Sequence, residues 1–152
     1  MPLFDPPVPR RLLWPQDAPW PRRRALGLVR RFEAAFPEIT YHVEMGILVA
    51  NAQAARVGVL RMVRLYGGLV RHRALRSAGL AVALAHETGH HLGGAPFHPT
   101  YRWLSSEERA TEWSLSEGLA KVFGRDHSLV VAARGTRNLE AIARSLGLSV
   151  VS

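Results

Sequence analysis

Apolar residues recur at three- and four-residue spacing over 22–36, at Leu26, Val29, Phe32 and Phe36, and Pro37 stops the run. That spacing predicts an amphipathic helix. The run Ile-Thr-Tyr-His-Val-Glu over 39–44 is rich in β-branched and aromatic residues and reads as a strand. Over 46–56 the pattern fits a strand, a turn or a short helix equally. Alternation returns in 62–66, meets Gly67 and Gly68, and continues over 69–72, which signals a hairpin or one strand bulged at the glycines. From Ser77 the chain reads Ala-Gly-Leu-Ala-Val-Ala-Leu-Ala into His86. Small and apolar on every face, it predicts a buried helix capped by Ser77 and ended at Gly93-Gly94, with Pro96 just beyond. A further helix starts at a capping box in which Ser105 precedes Glu108 by three, and it runs to about Phe123 before Gly124. A short amphipathic helix over 136–146 completes the pattern. Helix, strands, then helices predict an α+β domain.

Composition narrows what that domain can be. A chain of 152 residues suffices for one domain with its own core. The expected division is a proline-rich arm over 1–21 and a domain over 22–152. Seven of the ten prolines fall in the arm, which therefore reads as extended rather than helical. Trp14 and Trp20 would pin it to the body, and its Pro/Trp content also suits an inhibitory segment lying in a cleft. The absence of cysteine excludes disulfides, thiol nucleophiles and cysteine-ligated metal. No apolar stretch nears the ~18–20 residues that span a bilayer, and the first turns of sequence lack a signal-like apolar core. The expectation is a soluble cytoplasmic chain without a membrane partner. Net charge is +8, carried by nineteen arginines and the single lysine, Lys121. The arginines are scattered along the chain, which reads as a solvated basic surface. Nucleic acid is the alternative partner, although no nucleic-acid motif accompanies the charge.

The chemistry centres on His86-Glu87-Thr88-Gly89-His90, which fits H-E-x-x-H. Residues i and i+4 lie one above the other on a helix, so both imidazoles can reach one metal ion. Glu87 is turned about 100° from His86, near enough to work on a metal-bound water without being a ligand. By composition the match would arise by chance in about one such sequence in fifty. Two histidines and a glutamate on an otherwise apolar helix would be costly without partners, and a zinc ion supplies them. Catalytic zinc takes three protein ligands. The metzincin pattern needs histidine where the chain has Pro96, and His98 lies two positions late. The first turn of the next helix offers the better donor, Glu107, with Glu108 as its rival 100° around. Ala110 leaves room for the histidine helix to pack closely.

His86-Glu87-x-x-His90 followed by Glu107-x-x-Ala110 resembles the gluzincin arrangement and the short metallopeptidase domains of the ImmA/IrrE type. The chain is also similar to small bacterial zinc peptidase-like proteins carrying G-G-L-x-R-H, then H-E-x-G-H-H-x-G-G-x-P, then E-G-Q-A-D-Y-W. The matching blocks here start at Gly67, His86 and Glu107 and cover about residues 60–125. The resemblance implies a zincin-like single domain, with a small sheet packed on the H-E-x-x-H helix and a second, glutamate-bearing helix. It implies one zinc held by His86, His90 and Glu107, with Glu87 as general base and acid. One departure matters: the acidic or amide residue after the alanine is Thr111, a weaker partner for a ligand histidine.

The expected function is therefore a zinc-dependent endopeptidase that hydrolyses a peptide or protein substrate with zinc-activated water and Glu87 as base. The alternatives are a zinc-bearing regulatory module with little protease activity, and a basic nucleic-acid-associated protease. Tyr101, His98, His72 and His127 are unranked candidates for stabilising an oxyanion. The strand ending at 66–70 is a candidate edge for an extended peptide. His91 is expected to hydrogen-bond to the body, His42 to sit as an ordinary strand residue, and Trp113 and Phe123 to join the core.

Overall fold

Helix α1 spans Pro19–Ala35 in the computed structural model, which describes residues 6–148. It begins three residues before the expected start and inside the arm, because Pro19 at its first position already has the φ a helix needs. Ala25, Val29 and Phe32 form its buried stripe, with Phe36 just past its end. The rest of the described arm carries a short 3₁₀ turn, Arg10–Leu12, and is tied down by backbone bonds. Val8 N–H donates to Leu48 O, Trp14 N–H to Arg71 O, and Arg73 N–H to Leu12 O. The Trp14 and Trp20 rings meet edge to face. Of the described arm residues, none lines the metal cleft described below, so the pro-segment expectation has no support there.

Strands β1 (Ile39–Glu44), β2 (Ala52–Val57) and β3 (Leu60–Tyr66) form one mixed sheet in the order β1-β3-β2. β1 runs parallel to β3, with Ile39 opposite Arg61, and β2 runs antiparallel to it, with Val57 opposite Leu60. The hairpin turn is therefore Gly58-Val59, where Gly58 takes φ +60, and not Gly67-Gly68. The glycine pair instead sits in a short helical turn, α2 (Gly67–Val70). A Cβ on Gly67 would strike the Met45 carbonyl and one on Gly68 the Leu48 carbonyl. Close approach of two backbones explains the pair, so the expected turn or bulge there is corrected.

Helix α3 (Ser77–Leu92) runs through the centre, buried from Gly79 to Ala85. Its N-cap is Arg76, in extended conformation, and not the expected Ser77; the Arg76 N–H is taken by Asn138 Oδ1 from a distant helix. The chain then forms α4 (Glu107–Trp113), a π-helical turn (Ser114–Gly118) and α5 (Leu119–Phe123), ending at Gly124 with φ +83. Its cap is Ser106, whose hydroxyl accepts from Arg109 N–H; Ser105 is buried and its hydroxyl goes to Gly94 O. Helix α6 (Arg125–Ser145) is twice the length expected for the tail. It crosses α3 closely, since a Cβ on Gly135 would meet the Ala78 carbonyl. Phe32, Phe36, Leu65, Val70, Leu80, Leu84, Trp113 and Leu119 knit sheet and helices into one α+β core. No helix among the described residues is long and apolar enough to cross a membrane.

His72 gives this core a pH dependence. It is buried, its Nδ1 accepts from Ala74 N–H at 3.0 Å, and burial pushes its pKa below the ordinary 6.5. A group depressed this way contributes fully above the unfolded pKa, and the contribution is lost as pH falls below about 6.5. The thermal midpoint should drop by a few degrees between neutral and mildly acid pH, and His72→Asn should flatten part of that slope. Identical slopes in the two proteins would remove His72 from the account.

Candidate metal centre

The second half of α3 carries the cluster. His86 and His90 lie one turn apart, their rings edge to face with centroids 4.8 Å apart. Gly89, between them, has no side chain, and a Cβ there would lie 2.7 Å from the Ala110 carbonyl oxygen and 3.1 Å from Ala110 Cα. Glycine against alanine lets α4 come down onto α3, which swings the first turn of α4 over the imidazoles. Glu107 Oε2 then stands 2.9 Å from His86 Nε2, and Glu107 Oε1 stands 3.3 Å from His90 Nε2. One nitrogen or oxygen from each of the three residues falls within 4.8 Å of the others, so His86, His90 and Glu107 could hold a metal ion.

The surroundings fit such an ion. His90 Nε2 is buried and makes no hydrogen bond of good geometry, an orphan acceptor that a cation would satisfy. The opposite ring nitrogens are both occupied, as ligand histidines require. His90 Nδ1–H donates to Ser105 O at 2.7 Å, and His86 Nδ1 lies 3.1 Å from Thr111 Oγ1. The His86 hydrogen bond at 2.9 Å, and then the nearby His90 imidazole at 3.3 Å, hold the Glu107 carboxyl well below the usual range. Burial works against a charged His90, but the carboxylates Glu107 and Glu87 outweigh it and leave its pKa raised.

Glu87 lies beside the cluster without joining it. Its Oε2 is 3.8 Å from His86 Nε2, and its Oε1 accepts from Ala54 N–H at 3.0 Å. Only 4% exposed, it has a pKa raised by desolvation despite opposing histidines and that hydrogen bond. Ala54 belongs to β2, which is an edge of the sheet; β3 is central and its flanks are taken, so the expected edge at 66–70 is corrected to β2. Beyond Glu87 opens a cleft of about 510 Å³. Leu69, Val82, Leu115 and Leu139 line it with His86, Thr111 and Glu140, so α6 forms one wall.

The other candidates lie elsewhere. Glu108 borders a surface hollow with Pro96 and Arg109, and His98 Nδ1 accepts from Thr100 and Tyr101 N–H; neither enters the cluster. Tyr101, His98, His72 and His127 are all absent from the cleft lining. His91 Nε2–H donates to Met62 O at 2.8 Å, as an internal tie, and His42 is exposed beside Glu44. The contributions of Ala54 and Ser105 are made by backbone atoms, for which no residue type is a signal.

Thr111 is the weak point of the shell. Removing an outer partner of a ligand histidine typically costs about 10–100-fold in metal affinity. If the cluster holds a metal, Thr111→Ala should weaken its binding by an amount at the low end of that range, and Thr111→Asp should tighten it, in competition titrations against a chelator. Equal affinities in all three proteins would mean that the 3.1 Å contact does not support His86. No protein-family model, curated protein or solved structure matches the chain.

Proposed function

We propose that the protein is a zinc-dependent endopeptidase of gluzincin type on a zincin-like fold. The observation that carries the reading is Glu87: a buried carboxylate 3.8 Å from His86, held by an edge-strand N–H beside a His-His-Glu donor set. His86, His90 and Glu107 would be the ligands, and two imidazoles with one carboxylate suit zinc. Bound there, zinc supplies Lewis acidity toward water and the scissile carbonyl. Glu87, with its raised pKa, takes a proton from water and returns it to the leaving amine. Ala54 N–H fixes one oxygen of Glu87 and leaves the other on the His86 side. The apolar wall of the cleft suits a substrate side chain, and β2, as an edge strand, suits an extended backbone beyond the Ala52 and Ala54 N–H groups that Asn51 and Glu87 take.

The test is hydrolysis of a pool of quenched fluorescent peptides by the zinc-loaded protein and by Glu87→Gln. The variant should keep its zinc and lose roughly 10²–10⁴-fold in rate. A second reading, a zinc-bearing module with little turnover, draws on the 4% exposure of Glu87, which limits its contact with water. Zinc binding without hydrolysis in either protein would favour that module and overturn the peptidase.

A further inference from the structure

The arginines that are scattered along the sequence are gathered in space. Arg23, Arg24 and Arg31 from α1, Arg76 at the head of α3, and Arg134 and Arg137 from α6 line two adjoining hollows. The hollows measure about 430 and 520 Å³ and share Ala78 and Arg134. Neither has an aspartate or glutamate in its lining. Among the described residues, none of the six arginines forms an ion pair; the only arginine that does is Arg109. Arg24 is the most telling. Its Nη1 donates to Leu75 O at 2.8 Å and its guanidinium lies 4.8 Å from the Trp20 ring centroid, while its Nε and Nη2 are buried without a hydrogen bond. Burial, and then the neighbouring Arg76, depress its pKa. Guanidiniums gathered on one surface without carboxylate partners suit oxyanions, and phosphate above all.

The rest of the lining bears on which oxyanion. Leu28, Ala81 and Val131 form an apolar floor, and the Phe123 and His127 rings, 5.8 Å apart, stand on one wall. Six cations over two joined hollows exceed what one phosphate needs. Cationic groups interleaved with apolar and aromatic ones along a groove are what a strand of phosphates and bases requires. We propose that the groove between α1 and α6 binds single-stranded nucleic acid. The guanidiniums hold successive phosphates, and the exposed His127 ring takes a base, since the Arg31 guanidinium already covers Phe123 at 4.4 Å. Ala78 lies eight residues before His86 on α3, about 12 Å along the helix, so the groove and the metal centre are separate sites. This assignment therefore stands or falls independently of peptidase activity.

The test is fluorescence anisotropy with a labelled single-stranded DNA oligonucleotide between about 50 and 200 mM salt. The wild-type chain should bind, with affinity falling steeply as salt rises. The triple variant Arg23→Gln, Arg76→Gln, Arg134→Gln removes side chains that make no hydrogen bond or ion pair in the fold. It should bind at least about tenfold more weakly, with the salt slope reduced by about 2, or roughly 0.7 per lost contact. Arg134→Gln alone, at the junction of the hollows, should move both readings in the same direction. Arg56→Gln, Arg61→Gln, Arg102→Gln removes the same charge near His91, at the other end of α3, and should leave binding within about twofold. Equal losses in the two triple variants would reduce the binding to diffuse charge and overturn the proposal. So would a wild-type chain that shows no salt-sensitive binding. Polyglutamate displacing the oligonucleotide at equal charge concentration would make the groove an acidic-protein dock and overturn it too.

Discussion

Glu107→Ala should strip the protein of zinc. The wild-type chain, reconstituted and desalted, should carry about one zinc, and the variant far less under the same treatment. Glu107 is the only anionic donor of the cluster, and its two oxygens reach both imidazoles, at 2.9 and 3.3 Å. Its loss leaves two neutral ligands, so the affinity should fall by more than the roughly 10–100-fold that an outer partner is worth. Unfolding is not the cause to fear. The Glu107 side chain is 49% exposed, and contacts so open to solvent add little to stability. With chelator present, wild type and variant should therefore melt within a few degrees of each other. Added zinc should raise the melting point of the wild type alone, since a ligand that binds only the folded state stabilises it. Zinc retained in full by Glu107→Ala would move the third ligand elsewhere, with Glu108 first in line. A wild type that takes up no zinc would leave His86, Glu107 and His90 as a hydrogen-bonded network and remove the basis for catalysis.

The parts of the site that were legible in the sequence are those fixed by helical geometry. His86, Glu87 and His90 follow from the 3.6-residue period, and Glu107 from its place at the head of a capped helix facing a small residue. Other features depend on tertiary contact and leave little local trace. β2 reads Ala-Gln-Ala-Ala-Arg-Val, with one β-former in six, and is a strand because β3 pairs with it. The Gly67-Gly68 pair looks like a turn locally, yet its use is to let the 45–49 backbone pass. The first half of α6 mixes exposed Leu129 and Val130 with buried Val131, which blurs the period and leaves only the second half legible as a helix. The cleft wall, Thr136 to Ala143, lies in that legible half, but that it faces the metal cluster is set by the packing of α6 on α3. The arginine groove draws on three elements, and its outermost arginines, Arg23 and Arg137, are 114 positions apart. No run in the chain could announce it.

Gly89→Ala should destabilise the fold and weaken the metal site together, although alanine is the better helix former. In an open helix interior the exchange gains about 1 kcal/mol. Gly27, in the middle of α1 with nothing within 4 Å of a built Cβ, provides that reference: Gly27→Ala should raise stability by about this amount and leave zinc unchanged. At Gly89 the added carbon would sit 2.7 Å from the Ala110 carbonyl oxygen and 3.1 Å from Trp113 Cε3. The first contact is backbone, so no rotamer change relieves it and α4 must move. Overpacking of this kind costs about 1–3 kcal/mol, which meets or exceeds the gain in helix propensity. The net effect should be a loss of up to about 2 kcal/mol in denaturant melts. A shift of a few tenths of an ångström in α4 is also a shift of Glu107 relative to His86 and His90, so zinc affinity should fall with stability. The paired outcome is what discriminates. If Gly89→Ala were as stabilising as Gly27→Ala and held zinc as tightly as the wild type, the α3–α4 contact would not be what positions the carboxylate. The residue between the two histidines would then be a glycine for some other reason.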